Sequence, residues 1–343
     1  QSICRWEEFI PAYKRGWVSA LVTTLLPAGS MLAGIIASSL LPIIGWRYLF
    51  LVGLSPLVLV IMIRYWVPES PRWLMRMGRM EEARKSLAWA LMIDPKQIAL
   101  PATVPAPETT RWLELFKYPR LVAAGCLTGM TQTGGASFGL WGATLLVVVL
   151  NTNPAHAAFL MIFFNLAGIL GRFSITALIE PLGRRGSGTL YCVMSAILIV
   201  AAGYLYDVFI GSWSLFYVLI VAFGFFSSAI YTVVGPYMSE IWPARLRSSG
   251  MGLGYGVGNL SGKVLGPFGL ALIMGAGDII KPAAPNLVML GPAFVYFASW
   301  YLLGVVGFWV FGPETKGRTL EEMDSALGRP AVAAASAARA PAE

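Results

Sequence analysis

Eight apolar runs set the environment of this chain before any fold is considered. They lie at about residues 17–43, 48–66, 121–150, 155–179, 189–206, 212–234, 251–274 and 291–311. At about 1.5 Å per helical residue such runs match a hydrocarbon core of roughly 30 Å. Inside lipid every backbone N–H and C=O must be paired within the protein, which leaves helices as the structure for runs of this length. The expected class is therefore an all-α integral membrane protein. Composition agrees: 57% of the 343 residues are hydrophobic and 12% charged, outside the soluble range. The three cysteines, Cys4, Cys126 and Cys192, have no metal-ligand spacing and read as packing residues, so no metal or cofactor is called for.

The net charge of +8 invites a nucleic-acid reading, and its distribution argues against one. When the runs are threaded alternately through a bilayer, nearly all of the 25 Lys and Arg residues fall on one side, and only Arg47 and Lys281 on the other. This is the positive-inside pattern, which puts both chain ends in the cytoplasm; the plasma (inner) membrane is the expected location. The chain carries no secretory leader and begins at Gln1 rather than Met, so a piece of a longer protein is expected, its beginning missing.

Punctuation between the runs gives the organisation. Gly45-Trp46-Arg47 marks an outer turn, and the second run ends at Arg64, whose stem can snorkel to the interface. Pro68-Glu69-Ser70-Pro71-Arg72-Trp73-Leu74 stops one helix and starts an amphipathic one carrying Arg76, Arg79, Arg84 and Lys85, expected along the inner membrane surface. A Pro- and Thr-rich stretch at 94–110 reads as a linker. The run at 121–150 contains Thr131-Gln132-Thr133-Gly134-Gly135, which predicts a break whose freed backbone lines a cavity. The run at 155–179 holds Asn165 and Arg172 and turns at Glu180-Pro181-Leu182-Gly183-Arg184-Arg185. The divisions are 1–68, two transmembrane helices ending one half; 69–120, an inter-half loop; 121–312, a six-helix half; and 313–343, a cytoplasmic tail ending in an Ala-rich disordered segment.

Lys263 stands near the middle of the run at 251–274. A charge at that depth costs about 2.5–3.5 kcal/mol on insertion scales, so it should face protein or a wet cavity, where a fixed cation attracts a carboxylate. Pairing with a helix-end carbonyl or an acid elsewhere is the structural alternative. Gln132, Ser137, Trp141, Asn165 and Asn259 are the polar or amphipathic residues within runs and outline the rest of a substrate cavity; for each, interhelical packing is the competing role. The turn before Lys263 also has an echo: Glu8-x-x-Pro11-x-x-x-Arg15 then Gly16 repeats as Glu240-x-x-Pro243-x-x-x-Arg247 then Gly250, as in transporters built from two related halves.

Four stretches resemble the major facilitator superfamily, nearest its sugar porter and metabolite:proton symporter branches: PESPRWL at 68–74, LGRR at 182–185, YMSEIWPARLR at 237–247 and PETKGRTLEEM at 313–323. The resemblance implies twelve helices in two halves, with the eight runs here equivalent to the fifth through twelfth. It implies a secondary active transporter working as a monomer by alternating access, with a small organic solute and protons as partners beside the bilayer. It also implies that Glu8/Arg15, Glu69/Arg72, Glu180/Arg184/Arg185, Glu240/Arg247 and Glu314/Arg318 are gating pairs at the inner surface. The seventh-helix sugar signature is only half kept, with Gln132 and Gly135 present and its Asn lost, which favours an organic acid over a sugar. No carboxylate lies in the middle of a run, so a proton-carrying group is expected in helices outside this sequence.

The rivals are a sugar transporter, passive facilitator or exporter of the same superfamily, a lipid-modifying membrane enzyme, and a non-transporting sensor or degenerate fragment. The enzyme reading needs an acid/base pair or nucleophile near the interface. With one histidine, His156, at a helix end and no acid at matching spacing, it is the poorest.

Overall fold

A computed structural model describes residues 12–98, 112–243, 246–275 and 287–315. Glu8, Lys281, Arg318 and the Ala-rich tail lie outside the described residues, as do the side chains of Arg15, Arg72 and Glu180. The described chain is almost wholly helical: α1 (Ala12–Val52), α2 (Pro56–Trp66), α3 (Pro71–Arg76), α4 (Met80–Leu91), α5 (Pro119–Met130), α6 (Thr133–Leu150), α7 (Pro154–Tyr204), α8 (Leu215–Glu240), α9 (Arg247–Leu260), α10 (Gly266–Ile273) and α11 (Leu290–Val306). A two-residue ribbon, β1 (Phe209–Ile210) with β2 (Trp213–Ser214), caps the entry to α8.

Six stretches among the described residues are long and apolar enough to cross a membrane, and the expected eight are not reproduced in that form. The first two runs fall in one 43-residue apolar stretch, Thr24–Trp66, kinked at Gly45 and interrupted between Val52 and Pro56. The run holding Lys263 is helical but assembled from α9, a π turn at Ser261–Leu265 and α10. Within α1 and within α7 two helices meet at a glycine of non-helical backbone: Gly45 has φ 73° and ψ 169°, and Gly183 has φ 73° and ψ 175°. A side chain strongly disfavours that conformation. Both glycines fall in the turns read from the sequence.

The contacts divide the chain into two compact units. One holds residues 12–23 and 40–98 of the described chain, with α2, α3 and α4. Here α3 starts on Ser70, whose hydroxyl accepts the backbone N–H of Trp73, and Ser86 of α4 donates to the Glu69 carbonyl at 2.6 Å, tying α4 to the segment before α3. The other holds residues 24–39 and the described chain from 112 on. Its core is aromatic: Phe138, Phe164 and Phe223 pack in tilted and edge-to-face pairs at centroid distances of 5.1–6.4 Å, and Tyr237, Trp242, Phe294, Phe297 and Tyr301 are fully or almost fully buried. This packing holds α7, α8 and α11 together and fixes the frame on which the break between α5 and α6 is hung.

Candidate functional site

The predicted break is present. α5 stops at Met130 and α6 starts at Thr133, leaving Thr131 and Gln132 as a turn in mid-run. The Gln132 carbonyl accepts two hydrogen bonds, from the Ala136 N–H at 2.9 Å and from the Tyr231 hydroxyl of α8 at 3.2 Å. The Gln132 side chain is only 4% exposed, yet its Nε2 makes no hydrogen bond among the described residues. Buried donors are rarely left open, and one left open marks strain or a waiting partner.

A second irregularity faces the first. Between α9 and α10 the helix widens into the π turn Ser261–Leu265, a form that recurs at functional sites. Two side-chain bonds join it to the start of α6: Thr133 Oγ1 donates to Ser261 Oγ at 2.8 Å, and Ser137 Oγ donates to the Gly262 carbonyl at 2.8 Å. Lys263 lies inside this turn, exposed and without an ion pair among the described residues.

Glycines explain how the backbones come so close. Gly254 and Gly258 are buried, and a Cβ on them would meet the carbonyl oxygens of Gly125 at 3.0 Å and Gly129 at 2.5 Å. This is the small-residue contact that lets membrane helices touch backbone to backbone. The alternate glycines, Gly252 and Gly256, meet nothing within 4 Å, and Asn259 and Lys263 continue their exposed face at helical spacing. One helix thus carries a packed glycine line and an open one, the open one ending at the lysine.

The remaining candidates are placed unevenly. Trp141 is 41% exposed, one helical turn beyond Ser137. Asn165 and Asn259 donate their amides to their own helices, to the carbonyls of Met161 at 2.8 Å and Tyr255 at 3.0 Å. The structure therefore joins Gln132, Ser137 and the turn of Lys263, while no side-chain bond brings Asn165 to them.

Arg172 is the residue whose role the sequence did not supply. It is 4% exposed in α7; its Nε donates to Ser228 Oγ at 3.1 Å, and its guanidinium lies 5.5 Å from the centre of the Tyr231 ring. Because Tyr231 also holds the Gln132 carbonyl, a buried charge on α7 is linked through α8 to the break. A lone arginine in an apolar run was the available signal.

At the ends of these helices the charged motifs meet across elements. Arg184 Nη2 donates to Glu240 Oε1 at 2.9 Å, with side chains 27% and 19% exposed. Among the described residues Glu240 is thus paired with Arg184, and the Nε of Arg247 makes no hydrogen bond. Arg185 covers the Trp309 ring at 4.5 Å and donates to the Trp309 carbonyl at 3.1 Å, while the Tyr237 hydroxyl donates to the Pro313 carbonyl at 3.1 Å next to Glu314. Glu69 lies in the first unit, at the start of the segment that Ser86 holds.

Comparison with known proteins gives this arrangement relatives. A family profile described as sugar (and other) transporter matches residues 6–327. Solute carrier family 22 member 7 of Bos taurus is 29% identical over 330 residues, covering 92% of this chain and 55% of the relative. The cis,cis-muconate transport protein of Acinetobacter baylyi is 25% identical over 302 residues, covering 87% and 65%. The xylose transporter XylE from E. coli, in a partially occluded inward-open conformation, superposes with a TM-score of 0.63 at 19% identity, over 93% of this chain and 68% of that one. The chain spans about half the length of the solute carrier relative it matches.

Proposed function

From the fact that this chain belongs to the sugar (and other) transporter family, we propose that it serves secondary transport of a small organic anion by alternating access, with Lys263 as the anion's counter-charge. The observation that carries the reading is Lys263 itself: a cation in mid-run, without an ion pair among the described residues, on a π turn bonded to the break that holds Gln132. A fixed positive charge at that depth is costly unless it serves a partner of opposite sign. The open donor of Gln132 Nε2 supplies a neutral hydrogen bond beside it. The name of the Acinetobacter baylyi relative supports the anionic class, since muconate is a carboxylate.

Arg184 and Glu240 act in this scheme as a clasp that is closed in one state and separates in the other, with Arg185 and Glu314 as parts of the same gating machinery. Proton symport is part of the proposal and draws on the family resemblance. The whole is placed in the plasma membrane with both ends of the chain cytoplasmic.

Uptake into proteoliposomes, with cis,cis-muconate and other small carboxylates set against xylose, tests the reading. Lys263→Gln is expected to weaken carboxylate affinity about 10- to 100-fold, the worth of a hydrogen bond to a charged group, and Lys263→Arg to retain most of it. Unchanged uptake and affinity in Lys263→Gln removes the anion site. Uptake that persists after the proton gradient is collapsed removes symport and leaves a passive facilitator.

A further inference from the structure

The first unit holds a groove that the transport reading does not use. It has a volume of about 700 Å³ and lies between the end of α2 and helix α4, with Ile63, Arg64, Trp66, Glu82, Lys85 and Trp89 among its walls. Its acids are engaged: Glu82 takes two hydrogen bonds from Arg79, at 2.8 and 2.6 Å, and Glu69 also has an interaction of its own. Its cations are not, since neither Arg64 nor Lys85 has an ion pair among the described residues. The groove therefore presents two unmatched positive charges.

Its surroundings say what kind of anion fits. α2 is apolar from Pro56 to Ile63 and ends at Arg64-Tyr65-Trp66, so an apolar helix leads to the cations of the groove. Trp66 and Trp89, 66% and 52% exposed, stand where the apolar surface meets the charged one, the position tryptophan takes at a membrane interface. A free anion would use the charges and leave this apolar approach idle.

We propose that this groove binds an anionic phospholipid, its phosphate between Arg64 and Lys85 and an acyl chain along Val60 and Ile63 of α2. A basic residue near an anionic membrane surface contributes about fivefold to binding, so the pair contributes on the order of 25-fold. Bound lipid would pin α4 against the end of α2, holding the inter-half segment to the membrane.

Native mass spectrometry of the 343-residue chain in a neutral detergent tests this by titration with phosphatidylglycerol, phosphatidylcholine and inorganic phosphate. Phosphatidylglycerol is expected to bind at least about tenfold more tightly than phosphatidylcholine. The double variant Arg64→Gln/Lys85→Gln should lose about 25-fold, while Arg64→Lys/Lys85→Arg and the control Lys117→Gln/Arg120→Gln keep wild-type affinity. Equal binding of the two lipids, an unaffected glutamine variant, or an equal loss in the control pair overturns the site. Displacement of the lipid by inorganic phosphate overturns the lipid assignment, since the head alone would then be the ligand.

Discussion

Replacing Gly258 and Gly256 by alanine in parallel tests the two-faced reading of α9 with one methyl group. The two positions are two residues apart on one helix and gain the same propensity, about 0.8–1 kcal/mol for Gly to Ala. Only the surroundings differ. At Gly258 the new Cβ would stand 2.5 Å from the Gly129 carbonyl oxygen, well inside the 3.4 Å where ordinary contact begins. The obstacle is backbone, so no side chain can turn aside and α9 must draw away from α5. Overpacking of this kind costs about 1–3 kcal/mol. At Gly256 nothing lies within 4 Å, and no such cost arises. Because the propensity gain is common to both variants, the difference between them isolates the contact at about 1–3 kcal/mol. Thermal unfolding of the detergent-purified chain should show Gly258→Ala with the lower midpoint, by roughly 2–8 °C, and Gly256→Ala at or above wild type. Equal midpoints, or a lower one for Gly256→Ala, would refute the assignment of packed and open faces.

The open face carries its own expectation: Gly256→Leu should leave the midpoint within about 1 °C of wild type while reducing uptake at least about tenfold by filling the approach to Lys263, and undiminished uptake would show that solute does not pass there. Arg184→Gln and Glu240→Gln should be non-additive in stability by about 1 kcal/mol, as for a half-buried pair in contact, and additive effects would remove the clasp. Tyr231→Phe removes one hydrogen bond to the Gln132 carbonyl, so a loss of about 0.6–1.5 kcal/mol is expected, read as a lower unfolding midpoint. Deleting Val264, a half-exposed residue of the π turn, should restore regular helix, break the Ser137–Gly262 bond and abolish uptake although Lys263 remains; retained uptake would mean the turn has no part in placing the lysine.

Local punctuation was the most legible part of the fold. Gly45 and Gly183 stand in turns that charge and proline already marked, and their left-handed φ angles follow from those places. The break at Thr131–Gln132 was legible too, because a polar, glycine-rich interruption in a long apolar run cannot continue as a straight helix. Pairing across the sequence was not. Glu240 has Arg247 seven residues away, yet it takes Arg184, 56 residues distant, because the bend at Gly183 delivers that arginine to the end of α8. The Tyr231 hydroxyl gave no warning of its bond to Gln132, since a tyrosine in an apolar run reads the same whether it meets lipid or a carbonyl. The runs do not map one to one onto straight helices: Gly45 joins two helices in a kink, and the π turn divides the run that holds Lys263.

The π turn carries the packed face of α9 on into α10. At about 100° per residue, glycines spaced by four drift about 40° per step, so Gly258, Gly262 and Gly266 would lie roughly 40°, 80° and 120° round from Gly254 in a straight helix. By Gly266 the packed line would have left its partner. Yet at both later positions contact persists: a Cβ on Gly262 would meet the Ala136 side chain, and one on Gly266 would run into the Ser137 hydroxyl. The π turn adds one residue to a single turn, which cancels most of the drift just where it becomes too large. Lys263, next to the packed Gly262, is seven residues from Gly256 and so lies about 20° round the helix from it, on the open face with Asn259. The π turn that keeps α10 packed against α6 therefore starts where the open face of α9 carries the lysine, and a substitution that straightens the helix should loosen the contacts of Gly262 and Gly266.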